Sequence, residues 1–182
     1  MWRILRQIGR NGIRSEAPPD CDDAVRAEAE RIQRELLTIL GRALAIREVD
    51  PGSCNGCELE INALDNPYYN IEGLGIRFVA SPRHADLLLV TGPVSRNMEL
   101  ALKRTYEATP EPKLVVAVGD CGAGCGILGG ASYATCGGVA QVVPVDVVVR
   151  GCPPAPIEIL RAILTAVRRC RAPQAASTTN ES

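Results

Sequence analysis

The chain has 182 residues, a formal net charge of −1, and about half its residues apolar. That is enough for one sizeable core and too little for two comfortable domains. A near-neutral balance gives no broad positive field to draw in a nucleic acid, so no nucleic-acid partner is expected. The longest uninterrupted apolar run, Leu114 to Val118, is far short of the roughly 20 residues a membrane span needs.

In chain order, residues 1–14 set Trp2, Leu5 and Ile8 three apart, with Arg3, Arg6 and Arg10 on other faces. This is the pattern of a short, basic amphipathic helix suited to docking on a membrane surface or a membrane-bound partner. Pro18 and Pro19 break it, and Asp20 is placed to cap a second helix. In that helix Val25, Ala29, Ile32, Leu36 and Ile39 form one apolar stripe that stops near Gly41.

Beyond Gly41 the pattern changes to short, β-prone runs at 43–49, 76–80, 87–91, 114–118 and 145–149, several almost wholly apolar, as strands buried on both faces are. Helical stretches are expected near 58–64, 97–108 and 157–171. Strands alternating with helices predict a parallel sheet covered on both sides. The expected organisation is an N-terminal amphipathic segment over 1–19, one α/β domain over 20–172, and a polar, disordered tail over 173–182.

The chain has eight cysteines. The N-terminus lacks the apolar core of a secretion signal, and the cysteines gather in glycine-rich turns, so metal binding or catalysis in a reducing compartment is a better reading than disulfides. Cys54 and Cys57 form a Cys-x-x-Cys directly after the first expected strand. Cys121 follows the strand at 114–118, and Cys152 follows the last strand. In a parallel sheet those strand ends share one edge, where open α/β folds bind ligands.

Four converging thiolates suit either a cubane iron–sulfur cluster or a tetrahedral zinc ion. One pair and two single cysteines hung on a sheet, with glycines at 52, 56, 119, 122 and 151 allowing close backbone approach, favour the cluster. Structural zinc usually takes two close pairs from small knuckles. A zinc-stabilised scaffold is the alternative from another functional class. No Ser/Thr- and Gly-rich phosphate loop follows the first strand, which argues against flavin. Cys21 and Cys170 read as helix-packing thiols. Cys125 and Cys136 lie in the glycine-rich stretch 122–138, where packing is the simpler role and a substitute-ligand role is the alternative.

Between Val49 and Leu164 these motifs run in order: Gly52-Ser-Cys-Asn-Gly-Cys-Glu-Leu-Glu-Ile61, Asn66-Pro-Tyr-Tyr69, Ser81-Pro-Arg-His-Ala-Asp86, Thr91-Gly-Pro93, Gly119-Asp-Cys121, Pro144-Val-Asp146 and Gly151-Cys-Pro-Pro154. The set resembles the small iron–sulfur subunit of energy-converting NiFe hydrogenases and formate hydrogenlyase, related to the 20-kDa subunit of respiratory complex I. The resemblance implies a flavodoxin-like three-layer domain without flavin. It also implies one 4Fe-4S cluster on Cys54, Cys57, Cys121 and Cys152, near the active site of a large catalytic hydrogenase-like subunit.

By the same resemblance Glu60 is an acidic residue beside the cluster that couples protonation to electron transfer. Further implied partners are membrane-arm subunits and another, ferredoxin-like iron–sulfur subunit, at the cytoplasmic side of the inner membrane. Complex I relatives usually carry two adjacent cysteines where this chain has Cys54-x-x-Cys57, which favours the hydrogenase side over a quinone-linked role. Gly122-Ala-Gly-Cys-Gly126 departs from the common pattern at Cys125. His84, the only histidine, is read with Arg83 as an interface or near-site residue in a loop, or as a solvated turn.

Overall fold

In the computed structural model, residues 43–171 are described together with Trp2, Arg6, Gly9, Arg10, Ala27, Arg31, Arg34, Glu35 and Thr38; the side chains of residues 170 and 171 are not. The apolar stripe from Val25 to Ile39, Leu5 and Ile8, Cys21, and the tail expected over 173–182 lie outside the described residues. Of the two expected N-terminal helices, Trp2, Arg6, Gly9 and Arg10 are helical, as are Ala27, Arg31, Arg34, Glu35 and Thr38. Glu35 pairs with Arg168 near the end of the last helix.

Strand β1 (Leu44–Val49) leads into helix α1 (Gly56–Ala63), and strand β2 (Ile76–Phe78) follows. Strand β3 (Leu87–Thr91) is followed by the short β4 (Val94–Ser95) and helix α2 (Arg96–Ala108). Strand β5 (Leu114–Val118) runs straight into a helical turn, α3 (Gly119–Gly122); then come β6 (Thr135–Gly137), β7 (Val147–Val149) and α4 (Pro156–Arg171). The main sheet has the order β2-β1-β3-β5-β7 with every pair parallel. Counting only its own strands, that is the flavodoxin-like order 2-1-3-4-5, whose direction of travel reverses between β1 and β3.

Period-two alternation explains why β3 is apolar from Leu87 to Val90; its last residue, Thr91, is buried and donates its hydroxyl to the Val49 carbonyl at 3.4 Å. Leu87 and Leu89 enter one core with Leu44, Ile46, Val116 and the inward faces of α1 and α4 (Ile61, Leu64, Ile159, Ile163). Leu88 and Val90 enter a second core, on the opposite face, with Val115, Ala117, Val139 and Leu102 of α2. Each such side chain stabilises the fold by roughly 1.5–3 kcal/mol on burial. A polar residue at any position from Leu87 to Val90 would therefore sit inside one core or the other.

Two aspartates set the register where strands begin. Asp86 accepts the Ala45 N–H on Oδ2 at 3.0 Å while its own N–H donates to the Ala45 carbonyl at 2.8 Å, clamping β3 to β1. Asp146 does the same to Val115, at 2.7 and 2.9 Å, clamping β7 to β5. Asp146, engaged in this clamp, stands just before β7, which starts at Val147 rather than at the expected 145. β2 likewise ends at Phe78, two residues before its expected limit. The two-stranded antiparallel pairing of β4 with β6 is an addition to the expected elements.

Candidate functional site

Just past β1, Asp50 Oδ1 accepts the N–H groups of Gly52 and Ser53 at 2.8 and 2.7 Å, folding the chain back in an Asx-type turn. Asn55 then takes a left-handed conformation (φ 71°) at the start of α1, so Cys54 precedes the helix and Cys57 lies in its first turn. The loop after β3 presses on this turn: a Cβ on Gly92 would meet Ser53 at 2.6 Å. Beyond β5, Gly119 (φ +85°) turns the chain into α3, which carries Cys121. A Cβ on Gly119 would lie 2.6 Å from Cys57 Sγ. β7 delivers Gly151 and Cys152, and Asp120 N–H donates to the Gly151 carbonyl at 2.9 Å.

The four thiols expected to converge do so. Cys54, Cys57, Cys121 and Cys152 line one cavity of about 140 Å³, with Gly92, Pro93 and Asp120 among the other walls. It lies at the carboxyl ends of β1, β3, β5 and β7, spanning the point where the strand order reverses. Burial first, then the charges of Glu58 and of the other three cysteines, push the Cys57 thiol up to about 12. Negative charge crowds here, and a cationic group bound among the sulfurs would release the protons and relieve it.

Four thiols around one cavity suit a thiolate-bound metal group, and the glycine backbones at 119 and 126, close beside the sulfurs of Cys57 and Cys121, leave it room.

The remaining expected residues fall elsewhere. Cys125 does not line the cavity; its thiol donates to the Asp120 carbonyl at 3.3 Å and receives a bond from Arg150 Nη1 at 2.6 Å. Cys136 is on β6 and donates to Glu99 Oε2 at 3.3 Å. Glu60 is half-buried on α1 and is among the groups that act on Tyr69; it is not among the cavity walls. His84 lies in the turn Pro82–His84 that precedes β3, exposed, at the opposite end of the strand from the cysteines. That position sets His84 apart from the cysteines, and an exposed turn is open both to the interface reading and to the solvated one.

Sequence reasoning passed over Glu58. It is 7% exposed, and neither carboxylate oxygen has a hydrogen-bond partner among the described residues. Glu48 faces it from β1, and burial, then the charge of Glu58, hold the Glu48 carboxyl above its usual range. In the sequence Glu58 and Glu60 are alike; only the phase of α1 against the sheet separates them.

A 2-1-3-4-5 parallel sheet whose strand ends ring one cavity with four thiols defines a small α/β subunit built to hold a thiolate-bound redox group. The chain belongs to the family of the NADH ubiquinone oxidoreductase 20 Kd subunit, whose model matches residues 54–166. It is a subunit of the oxidoreductase complexes to which that family contributes. The probable membrane-bound hydrogenase subunit mbhJ of Pyrococcus furiosus is 40% identical over 146 residues, covering 79% of this chain and 87% of that protein. Formate hydrogenlyase subunit 7 of Escherichia coli is 39% identical over 160 residues, 88% of this chain and 60% of that one. Among solved structures, a chain of the archaeal membrane-bound sulfane sulfur reductase superposes with a TM-score of 0.59 at 30% identity, covering 78% of this chain and 77% of that chain.

Proposed function

We propose that this chain is the electron-relay subunit of a membrane-associated complex of the hydrogenase or formate hydrogenlyase type, with one 4Fe-4S cluster on Cys54, Cys57, Cys121 and Cys152. The observation that carries the reading is the convergence of these thiols, from three strand ends, around one cavity. Such a cluster supplies one-electron transfer at a potential set by its surroundings. The chain's own residues hold and orient it. Gly119 and Gly126 keep space beside the sulfurs of Cys57 and Cys121, and Cys57 Sγ lies 3.9 Å from the Val118 carbonyl. Glu60, three residues beyond Cys57 and so on the same side of α1, is the proposed proton-coupled carboxylate.

The catalytic metal or quinone site belongs, on this reading, to a large partner subunit. Ile127 and Tyr133, 95% and 96% exposed, stand in the loop that follows Cys121, a surface suited to being covered by that partner. Membrane-arm subunits and a ferredoxin-like subunit complete the proposed complex on the cytoplasmic side of the membrane. Among the described residues no helix is long and apolar enough to cross a membrane. Residues 1–19 are the proposed docking segment, 20–172 the cluster domain and 173–182 the tail.

Metal analysis of the complex purified without oxygen tests the reading. About four iron and four sulfide per chain, with a broad absorbance near 400 nm, is the expected result. Stoichiometric zinc without sulfide would overturn it in favour of a scaffold.

A further inference from the structure

The outer rim of the cavity carries a closed hydrogen-bonded ring that joins the loop bearing Cys121 to the loop bearing Cys152. Asp120 is its hub. Its N–H donates to the Gly151 carbonyl at 2.9 Å, and its carbonyl accepts the N–H groups of Cys125 and Gly126, both at 2.9 Å. Its carboxylate Oδ1 accepts the Gly151 N–H at 3.2 Å and lies 3.3 Å from Arg150 Nε. Arg150 closes the ring by donating from Nη1 to Cys125 Sγ at 2.6 Å.

A surface arginine in an ion pair is ordinarily worth little, and the Arg150 side chain is 65% exposed. Three features set this one apart. Its acidic partner is itself a wall of the cavity. Its guanidinium spans two acceptors, one carboxylate and one sulfur, which a lysine ammonium would not do with the same fork geometry. Asp120 and the four thiols are the charged or chargeable groups among the cavity walls, and all five are acidic.

Resting on the reading of Cys54, Cys57, Cys121 and Cys152 as cluster ligands, we propose that Arg150 is a positioning residue that raises the reduction potential of the group they hold by offsetting the charge of Asp120. The sign follows from electrostatics. Reduction adds an electron, a nearby uncompensated carboxylate opposes that addition, and a fixed guanidinium assists it. Cys125 serves as a pivot that holds the guanidinium over Asp120, which gives a role to a thiol that lies outside the cavity.

The test is a redox titration of the intact complex, following the spin signal of the reduced cluster, in wild type and in Arg150→Gln, Arg150→Lys, Asp120→Asn and the Gln/Asn double variant. The expected results are a shift to more negative potential in Arg150→Gln, recovery towards wild type in Arg150→Lys, a positive shift in Asp120→Asn, and a double variant close to wild type. Iron and sulfide content should match wild type throughout. An unchanged or positive shift in Arg150→Gln would overturn the proposal. So would loss of iron in both Arg150 variants, which would make the residue a mechanical clip only. A wild-type complex without iron and sulfide would instead sink the cluster reading itself, so the two failures are distinguishable.

Discussion

Replacing Gly119 by alanine separates the cost of a bent backbone from the cost of a displaced ligand. Gly119 has φ +85°, where a Cβ costs about 1–2 kcal/mol. The new methyl would also lie 2.6 Å from Cys57 Sγ, the movable end of a side chain. The fold therefore yields cheaply, and the burden falls on the position of the sulfur. Gly124 is the control: its φ is +84°, so the backbone cost is the same, yet its Cβ would meet nothing closer than the Gly138 nitrogen at 3.4 Å. Gly124→Ala should melt roughly 2–8 °C below wild type, at about 2–4 °C per kcal/mol for a chain of this size, and Gly119→Ala at least as far below, since it also forgoes the stabilisation of a bound cluster. Only Gly119→Ala should lose iron and the absorbance near 400 nm. The assay is iron content and visible spectrum beside thermal unfolding on the same preparations. Equal iron loss in the two variants, or full iron in Gly119→Ala, would refute the reasoning.

Cys121→Ala should lose the cluster or convert it to a three-iron form, whereas Cys125→Ala should keep the cubane spectrum; the reverse pattern, read by electron spin resonance and iron content, would reassign the fourth ligand. Glu48 is held above the usual carboxylate range, so the folded chain binds its proton more tightly than the unfolded chain does, and stability falls as pH rises through that range. Glu48→Gln removes this loss: thermal melts should show a gain at pH 7 that closes as the pH falls to where Glu48 is protonated, and an equal gain at both pH values would contradict the cause given. Deleting residues 1–14, which include the exposed Trp2, should leave cluster content unchanged but lower recovery of the complex with membranes, by a margin that narrows at high salt as the basic face is screened; unchanged recovery would remove the docking role.

What could be read in the sequence was whatever depends on local periodicity. β3 and β5 have the expected limits, because a buried, largely apolar run bounded by Asp86 and Gly92, or by Lys113 and Gly119, leaves a strand little freedom to slide. The convergence of Cys54, Cys57, Cys121 and Cys152 was legible for the same reason: each follows a strand, and a parallel sheet puts those ends on one edge. The elements that escaped are held by distant partners. β6 is a strand because it pairs with β4 some forty residues earlier, and α3 is helical despite two glycines in four residues because β5 feeds it and Gly151 ties it down. The buried Glu58 escaped because an acidic residue in the first turn of a helix reads as a favourable charge near its dipole. Nothing within α1 says which of its faces meets the sheet.

The strand order makes the four thiols unequally dependent on the sheet. Cys54 and Cys57 follow an interior strand, but Cys152 follows β7, an edge strand paired only with β5 through three residues and clamped at its start by Asp146. The fourth thiol therefore lines the cavity only while that edge strand is docked. On the proposed reading, a group held by all four sulfurs would tie the edge strand to the interior of the sheet, so the part of the fold with the fewest backbone partners would gain the most from its cargo.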